Sequence, residues 1–148
     1  MAYDIQYRLL NEEEKELFYK DFINFLAVHG IPGEEWERIK KEDKPQMMLM
    51  FAQFSDLVIH KSLMNIQFAY KLDENSCTLL KLDGESFEIA SVLNENKSTH
   101  VLDILKATEK SQPLKMNYPE KGREKYIYQL TSLDGYQPCD GTYWDLVN

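Results

Sequence analysis

The sequence predicts an α+β protein, with an N-terminal helical pair and C-terminal helices packed on a small antiparallel sheet. Three observations predict it. Apolar residues between 11 and 63 recur at spacings of three and four, as on one stripe of a helix. From Ile66 the period changes to two, the signature of half-buried strands. Asp83-Gly84, the dipeptide favoured by a two-residue hairpin turn, then divides the alternating region. A chain of 148 residues is long enough for a core without staples, and one domain spanning 1–148 is the expectation.

Taken in order, Tyr3, Ile5, Tyr7 and Leu9 alternate with Asp4, Gln6 and Arg8, which predicts a short strand that needs a sheet to join. Asn11 before Glu12, Glu13 and Glu14 is an N-cap followed by acids suited to the positive end of a helix dipole. Within that helix Phe18, Phe22, Phe25 and Leu26 form an aromatic stripe, and Gly30 ends it. After the stiff connector Ile31-Pro32-Gly33, Trp36 and Ile39 share a further helical face, which Pro45 interrupts. A second long helix is predicted over 47–63 from Met47, Met50, Phe51, Phe54, Leu57 and Val58.

Strands follow at Ile66–Leu72, around Thr78, Leu80 and Leu82, and from Phe87 to Leu93, forming an antiparallel meander to which the N-terminal strand could add an edge. Ser98 or Thr99 can cap a helix carrying Val101, Leu102, Leu105 and Thr108, which must stop before Pro113. Another helix is predicted from Pro119, weakened by Gly122 and closed by Asp134-Gly135. Asp140 can cap a last short helix that gathers Tyr143, Trp144 and Val147, and the helices are expected over one face of the sheet.

Composition excludes more functions than it suggests. The formal charge of −8 is evenly spread, with eleven acids and seven bases in residues 1–45 and fourteen acids and ten bases in residues 46–148. A duplex-binding role needs a basic footprint, so nucleic acid is not an expected partner. The six bases between Lys106 and Lys125 read as a solvated face. No stretch approaches the roughly 20 apolar residues of a membrane span, and the two cysteines lie in no paired spacing, so a cytoplasmic protein with reduced thiols is expected.

The strings Tyr7-Arg8-Leu9-Leu10, Asp21-Phe22-Ile23-Asn24-Phe25-Leu26, Glu35-Trp36-Glu37-Arg38-Ile39-Lys40 and Phe54-Ser55-Asp56-Leu57-Val58 resemble a small family of uncharacterised bacterial proteins found in Bacteroidota. The C-terminal Gly135-Tyr136 and Asp140-Gly141 are similar too. The resemblance covers mainly the first 65 residues, with divergent middle strands. It implies an intracellular bacterial protein and no activity, cofactor or catalytic residue.

The residues capable of chemistry are few. Asp56 and His60, four apart on the predicted second long helix, share a face and could serve a metal with a third ligand, for which His29 and His100 are the remaining histidines. An ordinary hydrogen-bonded pair is the simpler reading. Cys139 precedes a predicted helix N-terminus, but no histidine is near it in sequence and Asp140 opposes a thiolate. Cys77 reads as a small buried hydrophobe.

The run Met47-Met48-Leu49-Met50-Phe51 suits either an adaptable core or a groove for a partner. The leading expectation is therefore a non-catalytic interaction module without cofactor, which self-associates or docks a protein through the face around Trp36, Met47, Met48 and Phe51. A small metal-dependent enzyme or ligand-binding protein using Asp56 and His60, and an acidic inhibitor of a basic partner, are the alternatives.

Overall fold

A computed structural model of the chain describes residues 3–107 and 112–147. The chain divides into two compact units, Met1–Lys61 and Ser62–Asn148.

The first unit is helical, with α1 (Glu12–Leu17), α2 (Tyr19–Val28), α3 (Gly33–Glu42) and most of α4 (Lys44–Met64), whose last turn contains the division. Asn11 caps α1 as expected, through a reciprocal box. Its side chain accepts from the Glu14 N–H at 2.9 Å, and the Glu14 carboxylate accepts from the Asn11 N–H at 2.9 Å. The expected single helix breaks at Phe18, where φ is −100° and ψ 18°, although neither Pro nor Gly marks the place in the sequence.

Gly30 then ends α2 at φ +74°, a left-handed position that glycine adopts without strain. The Ile31 N–H reaches back to the Leu26 carbonyl at 2.9 Å and Gly30 N–H to Ala27 at 3.0 Å, the paired bonds of a Schellman end. Pro45 lies in the first turn of α4, where its missing N–H costs nothing, and Asp43 Oδ1 accepts from the Gln46 N–H at 3.1 Å.

The N-terminal segment corrects an expectation. Residues 3–10 contain no strand, and the sheet has no place for them. The two sheet edges are formed instead by β4 (Leu114–Asn117) and β5 (Gln137–Cys139), so that the five strands run in the order β4-β3-β2-β1-β5, antiparallel throughout. The meander of β1 (Phe68–Leu72), β2 (Ser76–Leu82) and β3 (Ser86–Leu93) is as expected. Its second turn is longer than Asp83-Gly84 suggests, because the last paired residues are Leu82 and Phe87.

Alternation sends Cys77, Leu79, Ala90 and Val92 to one face, where they form a core with α5 (Val101–Lys106) and α7 (Thr142–Val147) through Val101, Ile104, Leu105, Trp144 and Val147. Phe87 belongs to the opposite set and meets Tyr126 of α6 (Arg123–Ser132) at 5.3 Å between ring centroids. Helices therefore lie on both faces of the sheet rather than on one. The helix expected from Pro119 starts only at Arg123, since Gly122 holds φ +95° immediately before it. Asp140 does cap α7, accepting the Thr142 N–H at 2.9 Å. Thr108, expected in α5, lies outside the described residues.

Arg123 fixes the irregular end of the second unit. Its guanidinium donates to the carbonyls of Leu63 (3.2 Å), Leu82 (3.1 Å), Asp83 (3.2 Å) and Ile66, and its side chain is only 13% exposed. This removes one cation from the basic stretch read as a solvated face. Lysine has three donors on a point charge and cannot reproduce the fork. Arg123→Lys is expected to lower stability by about 2–4 kcal/mol, the range for stranding charge-assisted bonds to several carbonyls, read as a lower denaturant midpoint with an unchanged slope.

Candidate functional site

The first unit holds every candidate that the sequence ranks highest. Asp56, buried on α4, is a latch for the N-terminal segment. Its Oδ2 accepts from the Tyr3 hydroxyl at 2.6 Å and the Gln6 N–H at 2.7 Å, and its Oδ1 accepts from the Tyr7 N–H at 2.9 Å. One residue before, Ser55 Oγ accepts the Leu10 N–H at 3.1 Å. These side chains take donors that a neighbouring strand would otherwise need, which is why an alternating sequence is extended here without joining a sheet. His60 is exposed, with Nδ1 2.9 Å from the Tyr7 hydroxyl.

Asp56 and His60 are thus brought to the same segment, each with its own tyrosine. His29 is engaged elsewhere, its Nδ1 2.9 Å from the Phe25 carbonyl. Among the described residues no group of three His, Cys, Asp or Glu side chains could hold a metal ion. Neither cysteine is activated. Burial pushes the Cys77 and Cys139 thiols up to about 11, with Asp73 and Asp140 adding to the effect.

The four residues expected to form a partner face separate into two environments. Trp36 is 6% exposed and belongs to an aromatic core, edge-on to Phe22 at 5.2 Å and to Phe51 at 5.6 Å. Phe51 stacks on Phe22 at 5.0 Å and 11°, and Phe54 closes the group at 5.1 Å from Phe22. Trp36 is therefore packed inward, because the Phe22 stripe of α2 faces it. Met47 is half-buried and Met48 is exposed.

Met48 joins residues that sequence reasoning assigned to a strand. With Tyr3, Ile5, Leu9, Pro45, Leu49 and Ala52 it lines an open cleft of about 540 Å³, to which Asp43 and Gln46 also contribute. The signal was present in the alternation of Tyr3, Ile5 and Leu9, but it reads equally as the buried side of a strand.

A second, narrower cavity of about 190 Å³ lies between α1, α2, α3 and α4. Leu10, Phe22, Trp36, Phe51 and Phe54 form its apolar wall, and Lys15, Tyr19, Lys40 and Ser55 supply its polar groups. The Lys15 ammonium lies 4.8 Å from the centre of the Phe51 ring, within cation–π range.

The sequence profile of a family described as a family of unknown function, DUF6495, matches residues 5–132. The chain belongs to this family. The DUF6495 match runs through the middle strands, further than the 65 residues that carried the resemblance, and stops before Gly135-Tyr136 and Asp140-Gly141. Comparison with curated proteins and with solved structures gave no match. Among the described residues of this DUF6495 member, no helix is long and apolar enough to cross a membrane.

Two outcomes follow from the latch. Asp56→Asn replaces one accepting oxygen by a donor facing other donors, so it should cost about 2–3 kcal/mol and accelerate amide exchange at Gln6 and Tyr7. The bond to Asp56, with burial and the carboxylate charge, pushes the Tyr3 hydroxyl up to about 12 from its ordinary 10.0. A raised folded-state value means that this contribution is complete below the ordinary value and is lost as pH rises through the folded one. Melting temperature should therefore fall between about pH 10 and 12 in the wild type, and the Tyr3→Phe protein should lack that component.

Proposed function

We propose that the protein is a non-catalytic, cytoplasmic interaction module that docks an apolar segment of a protein partner, flanked by basic residues, in the cleft beside Met48. The supporting observation is a clustering of exposure: Tyr3, Ile5, Leu9 and Met48 are 37% to 47% exposed and line one cleft. Scattered exposed apolar residues need no explanation, whereas several around one concavity are the composition of a docking groove. Methionine adds an unbranched, polarisable side chain that adapts to its occupant.

Charge gives the partner its sign. The chain carries −8 overall, Asp43 lines the cleft, and Glu12, Glu13 and Glu14 open the helix that follows Leu9 and Leu10. A basic flank on the partner would be steered toward this unit, and the association would weaken with salt. Compared with the face expected from sequence, Met48 remains as a contact, while Trp36 and Phe51 belong to the aromatic core with Phe22.

Met48→Lys and Ile5→Lys place a cation in the cleft at exposed positions and should leave the melting temperature within a few degrees. Cross-linking in cells should yield a partner adduct with the wild type that falls about tenfold or more in both variants, as expected for loss of a central apolar contact. An adduct undiminished in both would overturn the proposal, as would sedimentation showing that the occupant is a second copy of the chain.

A further inference from the structure

The narrow cavity of the first unit contains an inconsistency that the interaction reading does not use. Protein interiors pair their polar groups, and a buried indole N–H or hydroxyl normally finds an acceptor. Trp36 is 6% exposed and Ser55 2%. Ser55 Oγ accepts the Leu10 N–H, but its own proton has no acceptor among the described residues, and neither does the Trp36 indole N–H. Both residues line the same cavity.

Two buried donors without acceptors among the described residues, both carried by residues that line one cavity, leave a place for an acceptor from outside. The other polar groups have the same sign. Lys15 and Lys40 are among the residues that line the cavity, the Lys15 ammonium lying 4.8 Å from the Phe51 ring centre, and their ion-pair partners Glu12 and Glu37 are themselves 90% and 61% exposed. Ion pairs so open to water contribute little, so exchanging the glutamate for a bound anion costs little. In a chain of net charge −8, this places two cations and two neutral donors around one apolar space.

The remaining wall sets the shape of the occupant. Phe22, Trp36, Phe51 and Phe54 offer ring faces and edges, which favour a flat aromatic body. A volume of about 190 Å³ exceeds the roughly 150 Å³ that accommodates benzene in an apolar cavity, leaving room for one small substituent. We infer that this cavity is a binding site for a small aromatic carboxylate, its ring held by Phe22, Trp36, Phe51 and Phe54 and its oxygens by the Trp36 and Ser55 donors and the Lys15 and Lys40 ammoniums. The inference is independent of the Met48 cleft.

The probes are benzoate, benzylammonium and toluene, which share a ring and differ in charge. Two-dimensional NMR follows the Trp36 indole resonance, identified by its absence from a Trp36→Phe protein. Benzoate should move it saturably and bind about tenfold or more tightly than benzylammonium, as charge-assisted acceptance by the donors requires. Lys15→Met with Lys40→Met should weaken benzoate about tenfold while changing toluene affinity less than about twofold, and the retained toluene binding shows that the cavity is intact. Ser55→Ala should weaken benzoate and leave toluene unchanged. An indole resonance that benzoate does not move, equal binding of benzylammonium, or full benzoate affinity in the double lysine variant would each overturn the assignment.

Discussion

Backbone polar groups that leave water must be paired, and in each unit of this chain one side chain meets that requirement for a segment outside regular structure. Asp56 supplies acceptors to the backbone donors of the N-terminal segment, and Arg123 supplies donors to the carbonyls of the turns around β1 and β2. The two are chemical complements. A carboxylate offers only acceptors and a guanidinium only donors, so each is saturated by one kind of backbone atom and rejects the other. Where helices and ladders cannot pair the chain, these two residues define its path.

The sequence was most legible where pattern and local chemistry agree. The meander, the Asn11 cap, the Gly30 terminus and the Asp140 cap follow from period two, a side-chain acceptor at a helix start, and a left-handed glycine. The errors arise where one signal has two physical uses. Tyr3, Ile5, Tyr7 and Leu9 alternate as a strand would, but Asp56 and Ser55, some fifty positions away, hold the donors of the segment. Trp36 and Met48 both read as apolar residues near a connection, and only the position of Phe22 shows that the first is enclosed. Two strands were invisible because each is three or four residues long and lies beside proline. Alternation over so short a run carries no weight against the turn signals of Pro113, Pro119 and Pro138.

The candidate site shows the same division. The chemistry-bearing residues that stand out in one dimension, Asp56, His60 and Cys139, are a structural latch, an exposed imidazole beside a tyrosine and a thiol held protonated. The groups with unused capacity are ones that composition cannot flag. An indole N–H and a serine hydroxyl become informative only once burial and the absence of an acceptor among the described residues are known for each. Trp36 and Phe51, expected on a partner face, instead help build the wall of an interior space.

The ends of the sheet bear on the behaviour of the protein at high concentration. β4 is exposed along its whole length and β5 contributes three residues, and among the described residues no further strand pairs with either. Open edges recruit other edges, and a sheet that can be extended by one strand can be extended indefinitely. Here Pro138 deletes a donor within β5, while Pro113 and Pro119 limit β4 to a short run carrying Lys115. An incoming strand would find too few bonds in register to repay its ordering. The prolines that hid these strands from the sequence pattern are also the features that keep both sheet edges short, the arrangement that disfavours edge-to-edge pairing.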